Sequence, residues 1–432
     1  MRIVAFLPVK GSSSRVPNKN VRISNGEPFF VFTLRKLLNC SFINEVFVDS
    51  ENETILKTAE RIGATPLPRD PALASNRTDG HQLFYNEAKQ VDADIYIQHL
   101  CTSPFVREET IYNAVSILRD NNQYDSVVLG KADKYYHWEN NKPAYNIAQI
   151  PNSTDLSSEC SEAMALYVVK SESALNIKRR IGDNPKMIFG NPIELIDVNT
   201  EDDFKLAEIV GAGILASEEK KLRVLGRFLT SPILSDICDE LNLNCILSPY
   251  YKSNIEGAKL FGRARTLHIR EAKDGDKTDS IYEALQSYKH VVSNDVVVVK
   301  NDLPDLAYFG ELNMSLSIRS GAIGAIISDV TRDTKATKDA GFPVFAKGNF
   351  CKDIKGRGAV ESINTPIFLD GVKVEPSDLI FADSDGIVVI PRNHEINILR
   401  KAIHVMTQEK NIVADVCQDV NVEDLVEKYG FF

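Results

Sequence analysis

Short uninterrupted apolar runs alternate with stretches in which apolar residues recur every three or four positions throughout the first half of the chain. Ile3 to Leu7 is the first such run and stops at Pro8; Val46–Phe47–Val48 ends at Asp49, and Ile95–Tyr96–Ile97 and Ser126 to Leu129 repeat the form. Between them, Pro28 to Leu38 is apolar enough for a buried helix. Ile55, Leu56, Ala59 and Ile62 recur at helical spacing ahead of Gly63, placed as a C-cap, and Ile111, Val115 and Leu118 mark a further helix. Strands alternating with helices predict a mostly parallel sheet covered on both faces. Ligands of such sheets sit beyond the C-terminal ends of the strands. The polar clusters Lys10–Lys19, Asp49–Glu53 and Thr102–Arg107 all follow strands, so this topology draws them toward one crevice.

The pattern changes in the second half. Ile233, Leu234, Ile237, Cys238 and Leu241 predict an opening helix, and Val296 to Val299 and Ala325–Ile326–Ile327 predict buried strands. Phe342 to Phe345 and Ile387 to Ile390 are short β-rich runs, and Gly and Pro punctuate the remainder. Leu312, Leu316 and Ile318 fill a segment that begins at Gly310–Glu311. The stretch GAGILASEEKKL, residues 211–222, holds two glycines and a charged run, the composition of a domain end and connector. The expected organisation is one domain over 1–213, a connector over 214–222 and a second domain over 223–432.

Composition narrows the class. Hydrophobic residues are 43% and charged residues 25% of the 432, the balance of an ordinary soluble globular protein. A net charge of −10 argues against a general nucleic-acid binder, so the cationic loop near the start is a local exception. Seven cysteines without CxxC spacing read as reduced thiols and imply neither a disulfide frame nor a zinc site. Ile3–Leu7 is too short for the core of a signal peptide, and no run approaches the roughly 20 apolar residues of a membrane helix. A cytoplasmic protein with no membrane partner is expected.

The loop after Ile3–Leu7 carries Lys10, Arg15 and Lys19 among Gly11, Ser12, Ser13 and Ser14. Small residues let the backbone approach a ligand and offer N–H groups, while cations meet negative charge. That chemistry suits a phosphorylated ligand; an ordinary polar βα turn has the same local composition. The stretch PVKGSSSRVPNKNV resembles the signature loop of the acylneuraminate cytidylyltransferases, the enzymes that make CMP-activated nonulosonic acids. VFVDSENE (46–53), RDPALASNRTDG (69–80), TSPFVR (102–107) and PIELIDVNTEDDF (192–204) follow in family order. The resemblance implies a nucleotide-diphospho-sugar transferase-like α/β/α domain that transfers CMP from CTP to a sugar acid. It assigns Lys10, Arg15 and Lys19 to the phosphates, with Arg15 and Lys19 catalytic, the Gly11–Ser14 backbone to cradling them, and Mg²⁺ to Asp197. Thr200 reads as an N-cap, with Asp203 completing a capping box behind Asp197; without the resemblance, Asp197 simply ends a strand. Arg69, Asn76, Arg77, Thr78, Asp79, His81, Thr102 and Ser103 are candidates for the sugar acid, whose carboxylate suits an Arg fork. Arg77 and Asp79 read equally well as surface charges, and Tyr135, Tyr136, His137 and Trp138 as a subunit contact or a sugar platform. Lys10 stands where the family usually has Arg, Ser14 where Lys is common, Leu100–Cys101 where Gln–Pro is usual, and Asn199 where a second acidic residue is usual.

In the second half, Glu311 at a probable helix start and Arg332–Asp333 after a strand form a constellation able to hold a small carboxylate and a divalent ion. Arg–Asp after a strand is also a common surface pair. YFGELNMSLSIRSGAIGAIISDVTRD, AGFPVFAKG and PSDLIFADSDGIVVIP resemble the regulator-of-ribonuclease-activity family, which includes class II pyruvate aldolases acting on 4-hydroxy-4-methyl-2-oxoglutarate. Twenty residues, 312 to 331, separate Glu311 from Arg332, the family's spacing. Ser328–Asp329 replaces its usual Asp–Gly. The resemblance implies a second α/β domain in which Gly310, Glu311, Leu312 and Arg332 bind pyruvate. In it Glu311 and Arg332 are catalytic, Asp333 supports Mg²⁺ or Mn²⁺, and a homo-oligomer is implied. The reading is a bifunctional enzyme, a cytidylyltransferase fused to a pyruvate aldolase-like domain, with CTP and small-molecule substrates as partners. Two alternatives stay open: a nucleotide-binding pseudo-enzyme with an oligomerising or regulatory second domain, and a lyase as the only active half.

Overall fold

The computed structural model describes residues 1–13, 15–75, 77–277 and 279–430. The chain divides into two compact units, Met1–Gly211 and Ala212–Phe432. In the first, β1 (Ile3–Pro8), α1 (Phe29–Asn39), β2 (Glu45–Ser50), α2 (Glu53–Ile62), β3 (Thr65–Pro68), α3 (Gly80–Ala88), β4 (Ile95–His99) and α4 (Glu108–Asp120) alternate as the hydrophobic pattern predicts. β5 (Ser126–Asp133), β6 (Glu159–Lys170), α5 (Ser171–Asn176) and β7 (Pro185–Phe189) follow. The seven strands pair in the order β7-β5-β6-β4-β1-β2-β3. β1 is parallel to both β2 and β4, and all six of its residues are buried. Burial on both faces is why Ile3–Leu7 reads as one apolar run instead of alternating. Gly63 ends α2 in the left-handed conformation, φ 108°.

Strand β6 runs antiparallel to β4 and β5. It returns from residues 134–158 without a crossover helix, which an antiparallel neighbour does not need. Because β1, β2 and β4 are parallel, their C-terminal ends share one edge. Residues 9–21, Glu51–Asn52 and Leu100–Ser103 leave from that edge.

Residues 214–222, expected as a connector, are helical. They lie within α6 (Glu201–Gly226), where Glu219 and Arg223 pair one turn apart. Gly211 serves packing instead of a break. A Cβ there would come 2.2 Å from Asn25 Nδ2, which donates to the Glu208 carbonyl at 3.3 Å.

The second unit contains α7 (Ser231–Glu240), β8 (Lys252–Ser253), β9 (Leu260–Glu271), β10 (Asp295–Asn301), α8 (Glu311–Ser320), β11 (Gly324–Ile327), α9 (Thr334–Asp339) and β12 (Val344–Ala346). After them come β13 (Gly358–Ile363), β14 (Leu379–Ala382), β15 (Ile387–Ile390), α10 (Glu395–Val416) and α11 (Val422–Tyr429). Its eight-stranded sheet has the order β8-β12-β11-β10-β9-β14-β15, with β13 also on β9. The central four strands are parallel and the outer ones antiparallel. Val296–Val299 and Ala325–Ile327 form its buried centre. Both units are therefore α/β, the first a mixed, mainly parallel sheet, as expected. Among the described residues no helix is long and apolar enough to cross a membrane.

Gly262 in β9 lies against the neighbouring backbone; a Cβ there would come 2.1 Å from the Asn294 carbonyl oxygen. Gly262→Ala therefore forces strand displacement and is expected to destabilise the second unit by about 2 kcal/mol. Urea unfolding followed by circular dichroism measures this, and an unchanged midpoint would contradict the close approach.

Candidate functional site

A cleft of about 510 Å³ opens at the shared edge of the first sheet. Lys10, Ser12, Ser13, Arg15 and Lys19 line it from the loop after β1, and Leu100, Cys101 and Thr102 from the loop after β4. Arg69, Ser75 and Thr78 complete it from the segment after β3. All three cations expected to meet phosphate are thus gathered with three of the expected sugar-acid residues, Arg69, Thr78 and Thr102. Ser14 and Asn76 lie outside the described residues.

Lys19 is the most constrained of these groups. Its residue is only 6% exposed, and Nζ donates to the Val198 carbonyl at 2.6 Å. Burial lowers its pKa, while Cys101, Asp197 and Asp203 favour the charged form and Arg15 opposes it. Val198 N in turn donates to the Thr102 carbonyl at 2.9 Å, so the Asp197 segment is tied to two loops of the cleft. Thr200 and Asp203 form the expected capping box: Asp203 N donates to Thr200 Oγ1 at 3.2 Å and Thr200 N to Asp203 Oδ2 at 2.8 Å. Asp197 precedes the start of α6. Asn199 Nδ2 donates to its Oδ2, while its Oδ1 is buried without a hydrogen-bond partner. An orphaned carboxylate oxygen beside a cationic cleft fits a divalent ion.

Glu194 anchors this segment from behind, and its sequence showed no local sign of the role. Only 1% exposed, it accepts the Arg107 amide at 3.0 Å, the Asn191 amide at 3.0 Å and the Thr110 hydroxyl. Burial opposes its charge, but the Thr110 hydroxyl and these amides outweigh it and lower its pKa.

Other expected ligands have partners within the fold. The Gly11 amide donates to Glu51 Oε1 at 2.7 Å. Arg69 is no open fork: Nε donates to both Asp49 oxygens at 3.0 Å and Nη2 to the Asp49 carbonyl at 2.8 Å. Its buried neighbour Glu87 has its pKa raised by burial and by Asp49, and accepts from Gln98 at 2.6 Å. Asp79 caps α3, accepting the His81 and Gln82 amides at 2.9 Å each; an Asp three residues before Gln is a capping-box signal. His81 Nδ1 accepts the Arg180 amide at 3.3 Å, and Arg180 lies 4.0 Å over the Tyr167 ring. Arg77 is exposed, while Ser103 is buried with its hydroxyl unpartnered. Tyr135, Tyr136 and Trp138 are exposed.

In the second unit, Glu311, Arg332 and Asp333 meet. Gly310 is the N-cap of α8 and the Glu311 amide donates to Asp333 Oδ2 at 3.1 Å. Arg332 N donates to the Phe309 carbonyl at 3.0 Å, and Arg332 Nη1 lies 3.5 Å from Asp353 Oδ2. Asp333 has a left-handed backbone, φ 55°. The Glu311 amide is therefore engaged by Asp333 rather than open, whereas the Leu312 side chain is 80% exposed. Among the described residues no group of three or more His, Cys, Asp or Glu is arranged to hold a metal ion.

The two units are similar to proteins of two different families. A family model described as Cytidylyltransferase matches residues 4–180, and one described as Aldolase/RraA matches residues 234–389. A Halalkalibacterium halodurans protein named "Putative 4-hydroxy-4-methyl-2-oxoglutarate aldolase" is 31% identical over 179 residues, 41% of this chain and 79% of the relative. The CMP-N,N'-diacetyllegionaminic acid synthase of Legionella pneumophila is 27% identical over 229 residues, 48% of this chain and 95% of the relative. The pseudaminic acid cytidylyltransferase of Campylobacter jejuni is 25% identical over 228 residues, 49% of this chain and 96% of the relative.

His99, at the end of β4, is fully buried and neutral; burial first, then Lys36, drives its pKa to about 3 from 6.5. The unfolded chain binds this proton near 6.5 and the folded chain does not. Stability from the neutral ring is therefore complete above pH 6.5 and is lost as pH falls toward 3, at about 1.4 kcal/mol per unit. His99→Asn is expected to flatten the pH dependence of unfolding by one proton, and an unaltered slope would refute the assignment.

Proposed function

The chain belongs to the Aldolase/RraA family through its second unit, and from that premise we propose that it joins a pyruvate lyase to a CTP-dependent sugar-acid activating domain. The first unit resembles the CMP-sugar cytidylyltransferases. In the proposed reaction the anomeric hydroxyl of a nonulosonic or related 2-keto-3-deoxy sugar acid loses its proton and attacks the α-phosphorus of CTP. The bond to the bridging oxygen breaks, and CMP-sugar and pyrophosphate result. The observation that carries this reading is the meeting of Lys19 with the Asp197 segment through the Val198 carbonyl, at one end of a cleft lined by Lys10 and Arg15.

Lys10, Arg15 and Lys19 would neutralise the triphosphate, and Ser12, Ser13 and Thr102 would orient it. Asp197, with its unpartnered oxygen, would hold Mg²⁺ or Mn²⁺. That ion would offset charge developing on the departing pyrophosphate. Thr78 and Ser75 line the sugar-acid side of the cleft. Arg69, held by Asp49, presents a fixed edge instead of a mobile fork.

In the second unit, Arg332 and the α8 N-terminus at Gly310–Leu312 would hold the carboxylate of a pyruvate-derived group. Glu311 would move a proton, and Asp333 with water would support a divalent ion. The oxygen of Asp333 that accepts the Glu311 amide keeps its carboxylate oriented for this. Sugar acids of this kind are aldol adducts of pyruvate, so a pyruvate lyase and a sugar-acid activating domain act on one class of compound. A cytoplasmic location suits CTP as co-substrate. A reading in which the first unit binds nucleotide without turnover is favoured by one observation: Asn199 leaves Asp197 as the lone carboxylate there.

Pyrophosphate release from CTP and Mg²⁺ with a panel of sialic, Kdo-like, legionaminic and pseudaminic acids tests the proposal. Release with at least one acid is expected, cut 10²–10³-fold by Lys19→Ala. CTP binding without release from any acid would establish the binding reading instead. Separately, Arg332→Ala is expected to abolish pyruvate release from 2-keto-3-deoxy acids while sparing pyrophosphate release, with Lys19→Ala doing the reverse. Loss of both activities in either variant would contradict the division of labour.

A further inference from the structure

Helix α10 carries one wide apolar face. Ile398 and Ala402 are fully buried, and Leu399, Val405 and Met406 pack beside them in the core of the second unit. At the margin of that face Ile396 is 68% exposed, Ile403 51% and Val413 60%. The apolar face is thus wider than the core that covers it, and the fold of this unit leaves its margin in solvent.

Beside the uncovered margin, the last turns of α6 contribute Val224 and Phe228, also exposed. Together with Ile403 and Met406 they line a groove of about 740 Å³. Its charged lining residues are Lys220, Lys221 and Lys410, without a carboxylate. Lys410 lies 4.9 Å over the Phe228 ring, so the rim cation covers part of the apolar floor. A cationic rim is unexpected on a chain of net charge −10. Glu218 and Glu219, the nearest carboxylates on α6, turn to Arg263 and to Arg223 and Ser293.

The complement of this groove lies further along the same chain. Helix α10 ends at Val416, and the turn and α11 that follow carry Asp419, Glu423, Asp424 and Glu427 against the single Lys428, which with Tyr429 holds Asp415. Val416 and Val422 are exposed there. The chain thus has a lysine-rimmed apolar groove followed in sequence by an acidic turn and helix. Two copies related by a two-fold axis with their α10 helices antiparallel would set each lysine rim against the other copy's acidic segment. The contact closes on itself and leaves no second end for further growth.

We propose that this groove is the interface with a second copy of the chain, filled by the C-terminal part of α10 and by α11 of that copy. Sedimentation equilibrium of the full chain tests it. The wild type is expected at an even multiple of 48.1 kDa, and Phe228→Asp with Ile403→Asp is expected to halve the mass with the far-UV circular dichroism retained. Because those changes touch apolar side chains, a second variant uses charge alone. Lys220→Glu with Lys221→Glu and Lys410→Glu is expected to weaken association at least tenfold, and adding Asp419→Lys and Glu423→Lys to restore it. A monomeric wild type, or a mass that neither variant changes, overturns the proposal and gives the groove to another occupant. Failure of the charge swap to restore association overturns the antiparallel pairing.

Discussion

A buried ammonium organises the first unit. Removing Lys19 from water costs several kcal/mol unless fixed acceptors surround it, and a single carbonyl at 2.6 Å supplies only part of that. The Asp197 and Asp203 carboxylates offset part of the remainder as fields instead of contacts, and burial still leaves its pKa lowered. Those groups lie on the segment entering α6, whereas Lys19 lies on the loop after β1, so satisfying one charge brings the two segments together. Val198 then binds Thr102, and Glu194 pins the segment to the start of α4. The cleft is the space these ties leave open. A ligand that adds negative charge completes the neutralisation of Lys10, Arg15 and Lys19, which is why an anion suits it better than a neutral sugar.

The strands were legible because parallel strands buried on both faces have no polar side to interrupt the apolar run, as in Ile3–Leu7. Gly63 and the Thr200–Asp203 box were legible because helix ends are satisfied by nearby residues. What escaped were features set by distant partners. Arg69 was read as open for a carboxylate because its sequence neighbours give no hint that Asp49 reaches it from β2. Asp79 was a sugar-acid candidate that read equally well as a surface charge; in the fold it caps α3, and its spacing to Gln82 carried that signal. Residues 214–222 were expected as a connector from the two glycines and charged run of 211–222; the segment is helical, because Glu219 and Arg223 support a helix and Gly211 yields room to Asn25.

In the second unit one contact accounts for a spacing. Asp333 takes a left-handed backbone, a conformation an Asp tolerates better than most residues, and turns its carboxylate to the Glu311 amide. Gly310 makes this possible, since a Cβ there would come 2.4 Å from Asp333 Oδ2. Between Glu311 and Arg332 the chain runs the length of α8, crosses to β11 and returns. The twenty intervening residues are therefore the path of one helix–strand unit whose two ends must touch. Such a spacing is hard to change without separating the Glu311 amide from the Asp333 carboxylate.

Charge placement separates the ligands these units can take. The net charge of −10 opposes long polyanions at a distance, where their many charges interact with the whole surface. A small anion is affected far less by that field once it is within a cleft, because ionic screening limits the distant charges to about 8–10 Å. Inside, Lys19 is desolvated by burial and is a stronger partner than the same residue at the surface. An acidic chain with three cations gathered at one cleft can thus discriminate by ligand size as well as sign.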